Sequence, residues 1–316
     1  MPDQAVVEQP VSRAAVRRPF REWFQYWVRD PASGLVYFSL HFLFLVLPID
    51  LVSAFGGFFG WLTWKYRYAD AQARIRQWYA RLRPPQVAKD PDAAIRELFT
   101  HIGRVGAEFP ALHRLWAAHR IAVEGAEHLL ACRRADRPVI VMGVHTGNWE
   151  VIGPTLIGLG VRGFKVIYQP PPSRFVERGL VLARRRYGAI LLRPGVGAAR
   201  TALRHLADDR GVLLIYTDEE RDGYICAPLF GRPYRARSNL VTTVRLSWAS
   251  GAVIIPAFVE RLGGARFRTT FLSPLELPAE RTEAALTESV RRLDAAVTAM
   301  ILPRLDQWYM LTQHRR

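Results

Sequence analysis

Between residues 121 and 271 the chain is punctuated by seven short runs of β-branched, aliphatic or aromatic residues. They read IAVE at 121, VIVMGV at 139, KVIY at 165, AILL at 189, VLLIYT at 212, VIIPAF at 253 and RFRTTF at 266. Helix-length pieces alternate with them over 126–133, 149–159, 173–187, 196–208 and 238–250. Two more precede the series, at 70–82 and 91–117, and one follows it at 281–301. Strands that alternate with helices build a mostly parallel central sheet covered by helices on both faces, an α/β fold. In such a sheet ligands bind beyond the carboxyl ends of the strands.

The N-terminal third has a different composition. From Pro31 to Trp64 the only formally charged residue is Asp50, and Pro48-Ile49-Asp50 interrupts the apolar run. About 20 apolar residues are needed to span a bilayer as a helix, so three readings stand: a kinked membrane helix, a shallow hairpin in one leaflet, or a buried hydrophobic subdomain. The aromatic end, Trp61, Trp64 and Tyr66, favours membrane contact. Three segments are expected: a polar, basic arm at 1–30, an apolar membrane-anchoring helical segment at 31–66, and a cytoplasmic α/β domain at 67–316. Lys65, Arg67, Arg74, Arg76, Arg81, Arg83 and Lys89 against the single acid Asp70 put the cytoplasmic side after the apolar run.

The whole chain carries 44 Lys+Arg against 28 Asp+Glu, a net charge of +16, which favours an anionic partner without choosing one. Cys132 and Cys226 stand far apart and form no C-x-x-C, so neither a zinc site nor a disulfide framework is expected. No cleavable signal is expected from the polar first thirty residues; there is no G-x-S-x-G and no P-loop, and G-V-G-A-A-R at 195 is too degraded for a dinucleotide fingerprint.

The run VIVMGV ends in His145, followed by Thr-Gly-Asn-Trp-Glu150. His-x4-acid spacing is weak evidence alone. With 8 histidines and 28 acids one such pair arises by accident, and His119–Glu124, leading into a strand, is one. The setting of His145 is different, because a strand delivers it to the ligand-binding edge. Gly147 permits a tight turn and close approach, Asn148 can cap the next helix, and backbone N–H groups at that helix start suit a developing oxyanion. Glu150 is expected to fold back onto one imidazole nitrogen and raise the basicity of the other, making His145 a general base. The bland alternative is a histidine that merely caps a helix.

V-H-T-G-N-W-E resembles the H-x-G-N-W-E block of the lipid A late acyltransferases, within the wider lysophospholipid acyltransferase group defined by His-x4-Asp/Glu. The likeness continues in V-E-G-A-E-H-L at 123, K-V-I-Y-Q-P-P at 165, Arg184-x-Arg186-x-Gly188, T-D-E-E at 217, P-L-F-G at 228 and the terminal Q-W-Y-M-L-T-Q-H-R-R. It implies a glycerolipid acyltransferase-like fold with an N-terminal membrane anchor at the bacterial inner membrane, the catalytic domain on the cytoplasmic side. It also implies transfer of a fatty acyl chain from an acyl carrier protein or coenzyme A thioester to a hydroxyl of a lipid A precursor. His145 and Glu150 then carry the chemistry with no metal or other cofactor. The acyl carrier protein, the phosphorylated glycolipid and the inner leaflet are all anionic, which fits the surplus of cations; no nucleic acid is expected as partner.

Arg184, Arg186, Asp218 and Arg235 are the candidate phosphate or carrier contacts, with a solvated basic face or strand end as the alternative. The P-L-F-G-R-P-Y-R-A-R stretch is expected either to close over a headgroup or to be an ordinary basic loop. Two departures from the family pattern, Tyr168-Gln169-Pro170 for Y-R-P and Asp218-Glu219-Glu220 for Asp-Gln/His-Asp, leave the acceptor open to a lysophospholipid, a phosphatidylinositol mannoside or an ornithine lipid. Arg174 or Arg162 are candidates for the missing cation. A non-catalytic basic lipid-binding protein and a thioesterase are the competing functions.

Overall fold

The computed structural model describes residues 20–67, 69–83, 90–171 and 173–313. Most of the N-terminal arm, Lys89 and the last three residues of the terminal block lie outside them. All seven runs form strands: β1 (Ile121–Glu124), β2 (Val139–Gly143), β3 (Lys165–Ile167), β4 (Ile190–Leu192), β5 (Val212–Tyr216), β8 (Val253–Gly263) and β9 (Arg266–Phe271). A two-stranded hairpin, β6 (Glu220–Arg221) with β7 (Tyr224–Ile225), was not expected; two-residue strands carry no periodicity to read. The main sheet has the order β1-β9-β8-β2-β5-β3-β4. Every neighbouring pair is parallel except β8 with β9, which form an antiparallel hairpin.

Both faces are covered, as expected. Along β2 and β5, Val139, Val141, Val212 and Leu214 belong to one apolar core, while Ile140, Met142, Leu213 and Ile215 belong to another. Alternate side chains leave opposite faces of a strand, so fully apolar runs are required here. Helix starts follow the side chains that can cap them. Ser173, Ser238 and Thr282 accept from Val176, Val241 and Ala285 N–H. The helix expected over 91–117 ends at Glu108, where Phe109–Ala111 forms a 3₁₀ turn, because Pro110 has no N–H to continue the ladder.

The apolar segment forms two helices, Asp30–Val46 and Ile49–Arg67. Leu47 is extended before Pro48, as the proline ring demands. Arg114 donates to the carbonyls of Leu45 (2.9 Å) and Leu47 (2.7 Å), and Arg120 pairs with Asp50 at 2.9 and 2.6 Å. Two arginines of the α/β domain thus hold the break in place. The second helix packs against Pro91–Glu108 at glycines: a Cβ on Gly60 would stand 2.2 Å from the Phe99 carbonyl oxygen, and one on Gly103 2.2 Å from that of Gly56. Among the described residues no helix is long and apolar enough to cross a membrane, so the first of the three readings, a kinked membrane helix, finds no support.

Candidate active site

The parallel register pairs Gly143 of β2 with Tyr216 of β5. Two residues further along both strands, His145 and Asp218 come level at the carboxyl edge of the sheet. Asp218 Oδ1 lies 2.8 Å from His145 Nδ1, and Oδ2 accepts the His145 N–H at 2.9 Å and the Trp308 indole N–H at 2.9 Å. Asp218 is fully buried, whereas the His145 side chain keeps 17% exposure. Its Nε2 makes no hydrogen bond to any described residue. Tyr216 lies against the imidazole at 4.5 Å between ring centroids, Trp149 meets it edge-on at 5.1 Å, and Tyr309 stands at 6.4 Å.

The carboxylate on the imidazole is therefore Asp218, and the expected Glu150 bond is not made. Glu150 is buried and engaged elsewhere: Arg184 donates to it twice, at 2.9 and 2.6 Å, and the Trp149 indole once, at 3.1 Å. Neither the substrate-contact nor the solvated-end expectation describes Asp218. Arg184, expected as a phosphate or carrier contact, is buried and paired with Glu150. Burial pushes its guanidinium down, but the charge and hydrogen bonds of Glu150 outweigh that and hold it above its ordinary value. Its Nη1 is buried without a hydrogen-bond partner among the described residues.

The turn itself is tied on all sides. Thr146 Oγ1 donates to the Val259 carbonyl at 3.0 Å, and Thr146 bridges Trp308. Gly147 N–H donates to the Gln307 carbonyl at 3.0 Å, and Tyr309 N–H to that of His145 at 2.9 Å. Gly147 has φ +57°, and a Cβ there would stand 2.6 Å from the Val259 oxygen. Its close approach is to β8, and with its N–H engaged it is not an open oxyanion donor. Asn148 makes no side-chain cap; at the start of a 3₁₀ turn its Nδ2 donates instead to Glu108 Oε2 at 2.8 Å. Glu108 is itself buried, paired with Arg261 at 2.6 and 2.8 Å.

The sequence profile of the bacterial lipid A biosynthesis acyltransferases matches residues 22–316. The chain belongs to that family. It is accordingly a lipid acyltransferase, which removes the reading of a non-catalytic binder. No curated protein matches the chain. Among solved structures, the 1-acyl-sn-glycerophosphate acyltransferase of Thermotoga maritima is similar at 14% identity, covering 79% of this chain and 97% of that one, with a TM-score of 0.37.

In this acyltransferase the remaining basic candidates are dispersed. Arg186, at the end of the Arg174–Arg186 helix, is exposed and makes no ion pair with a described residue. It stands close to two histidines, His41 and His113, each held low first by burial and then by its charge. Arg235 lies 4.1 Å over the Tyr224 ring on the small hairpin. Arg232 donates to the carbonyls of Ile225, Pro228 and Leu229, so it organises its own loop. Arg174 stacks 3.8 Å over Tyr26, and Arg162 precedes β3 at the opposite end of the sheet. Sequence reasoning missed Trp308, Tyr309, Tyr216, Gln307 and Glu108. The terminal Q-W-Y block was a signal for three of them, but it carried no chemical role until the fold brought it beside His145.

Proposed function

We propose that the protein moves a fatty acyl chain from an acyl carrier protein thioester to a hydroxyl of a lipid A precursor, a phosphorylated glucosamine disaccharide lipid. The observation that carries this reading is an imidazole with one nitrogen held by a buried carboxylate and the other open. With Nδ1–H donated to Asp218, the lone pair rests on Nε2, where it can take the proton of an acceptor alcohol. The alkoxide oxygen then bonds to the thioester carbonyl carbon. Collapse of the tetrahedral adduct breaks the C–S bond, and the imidazolium returns its proton to the departing thiolate. Asp218 stabilises the imidazolium between those steps. Glu150 takes the role of holding Arg184, whose open Nη1 is a donor in the same buried cluster.

A cavity of about 770 Å³ supports an alkyl substrate. Phe59, Ile75, Phe99 and Ile102 line it, with Arg74 and Tyr309 also on its wall. Tyr309, on that wall, stands 6.4 Å from the imidazole between ring centroids, and Phe59, also on it, is exposed. Leu35, Val36, Val46, Leu51 and Phe58, on the two N-terminal helices, are exposed as well. An apolar surface of this kind suits a helix pair lying in a bilayer interface. The acyltransferase would then work from the cytoplasmic face of the inner membrane, where an acidic carrier meets a chain of net charge +16. Arg186, exposed, and Arg235, half-buried, are the cations offered to the acceptor phosphates or the carrier.

The test is His145→Ala, assayed with an acyl carrier protein thioester and the disaccharide lipid. Transfer falls by about two orders of magnitude or more, while circular dichroism and vesicle binding stay as in the wild type. Transfer that persists, or fatty acid released equally fast without the acceptor, would reject the reading.

A further inference from the structure

Directly after Asp218 comes a second acid whose surroundings are unlike those of a solvated side chain. The Glu219 carbonyl accepts the Cys226 N–H at 2.8 Å, closing the base of the β6–β7 hairpin. Its carboxyl turns inward. Oε1 accepts the N–H of Asn239, first residue of the Asn239–Ser250 helix, at 2.7 Å, and Oε2 is buried with no hydrogen-bond partner among the described residues. Asn239 Nδ2 donates in turn to the Tyr216 carbonyl at 2.7 Å, and the Tyr216 ring lies against His145. The carboxyl is thus one residue from Asp218 along the chain and three contacts from the imidazole, through Asn239 and Tyr216.

The charged and titratable neighbours are few. Asp218 approaches from the end of β5 and Cys226 from the end of β7. Arg221 Nη2 stands 3.8 Å from Oε1, on a side chain 44% exposed, and Arg235 faces Cys226 from the following loop. Burial pushes the Glu219 carboxyl up to about 8; the Asn239 and Glu219 amides and Arg221 pull it down, and Asp218 pushes it further up. Ionisation would set two carboxylates on consecutive residues, the second on a side chain only 15% exposed with one oxygen lacking a donor among the described residues.

We propose that Glu219 is a positioning residue that works as the neutral acid, fixing Asn239 and the strand end against the Asp218–His145 pair, and that on ionising it turns out toward Arg221 and loosens that pair. The consequence is an alkaline limit on transfer set outside the catalytic pair. This rests on the reading of His145 as the base.

The test is the pH profile of kcat/KM from pH 6 to 10 in the full chain, using acyl carrier protein thioester and the disaccharide lipid in micelles. Uncatalysed thioester hydrolysis is subtracted. The wild type falls about tenfold per pH unit above a midpoint near 8. Glu219→Ala loses activity at every pH, whereas Glu219→Gln, which copies the neutral acid, restores it at pH 7 and shifts the alkaline limb up by about one unit or more. A limb unchanged in the glutamine variant, no limb in the wild type, or a folded but inactive glutamine variant would each overturn the proposal. Two readouts are independent of turnover. In selectively ¹³C-labelled wild type, one glutamate titrates near 8; none titrating above its ordinary range refutes the idea. The folded state also keeps a proton that the unfolded state has lost, so wild-type stability falls relative to Glu219→Gln between the ordinary glutamate range and pH 8; a constant gap counts against it. Residual transfer by His145→Ala at pH 7 would instead sink the underlying reading.

Discussion

The end of β5 and the helix start after β2 each present a buried carboxylate near the same turn, and they do opposite things. Asp218 is far from His145 in sequence yet bonds its ring and its amide. Glu150 is five residues away and bonds neither, spending its charge on Arg184 and Trp149. Parallel strands advance together, so residues equally far past paired positions arrive side by side at the edge. A residue one turn into the next helix is carried around and away. Which acid serves a strand-end histidine is thus decided by register across the sheet, and the nearer acid is free to neutralise an arginine beneath it.

Asp218→Asn should break the comparison most visibly. It keeps shape and one acceptor oxygen but removes the charge that favours the imidazolium, and it offers an N–H₂ where the ring and indole donate. Transfer should drop by about 10²–10⁴-fold with little change in the unfolding midpoint, measured by steady-state kinetics and thermal denaturation. Glu150→Ala should do the reverse. It leaves Arg184 charged and buried without a partner, a loss of about 3–5 kcal/mol of stability, and Glu150→Ala combined with Arg184→Ala should cost less than the sum of the two changes. If instead Glu150→Ala cut turnover as deeply as Asp218→Asn in a protein of undiminished stability, the roles assigned to the two acids would have to be exchanged.

Much of the scaffold could be read from residue order. V-I-V-M-G-V and V-L-L-I-Y-T are apolar at consecutive positions, which only a strand buried on both faces needs, and the helices expected from 173 and 238 begin at those serines. His145 was legible as a candidate because an apolar strand delivers it to the sheet edge. Its partner was not, because the neighbour relation between β2 and β5 is a property of the sheet order, and periodicity along one strand is blind to which strand lies beside it. The N-terminal segment was ambiguous for another reason: composition records how apolar Phe42 and Phe59 are, but not that Pro48 divides them between two helices, each too short or insufficiently apolar to cross. Trp308 stood in the recognisable terminal Q-W-Y block but gave no sign of its role, since a buried indole N–H acquires meaning only from the acceptor it finds.

That indole yields the smallest expected effect and the finest test of the Asp218 side of the comparison. Trp308 is fully buried and donates to Asp218 Oδ2, the oxygen that also takes the His145 amide, while Oδ1 alone faces Nδ1. Trp308→Phe removes one of the donors that fix the carboxylate plane and leaves the charge in place. A hydrogen bond to a charged group contributes about 1.5–3 kcal/mol. Part of that loss falls on stability and part on the aim of Oδ1, so kcat should fall about tenfold while KM for the lipid acceptor stays put, because the indole reaches no solvent-accessible surface where an acceptor could touch it. A rise in KM with kcat preserved would place Trp308 in the acceptor site, and Asp218 would then be held by the His145 amide alone.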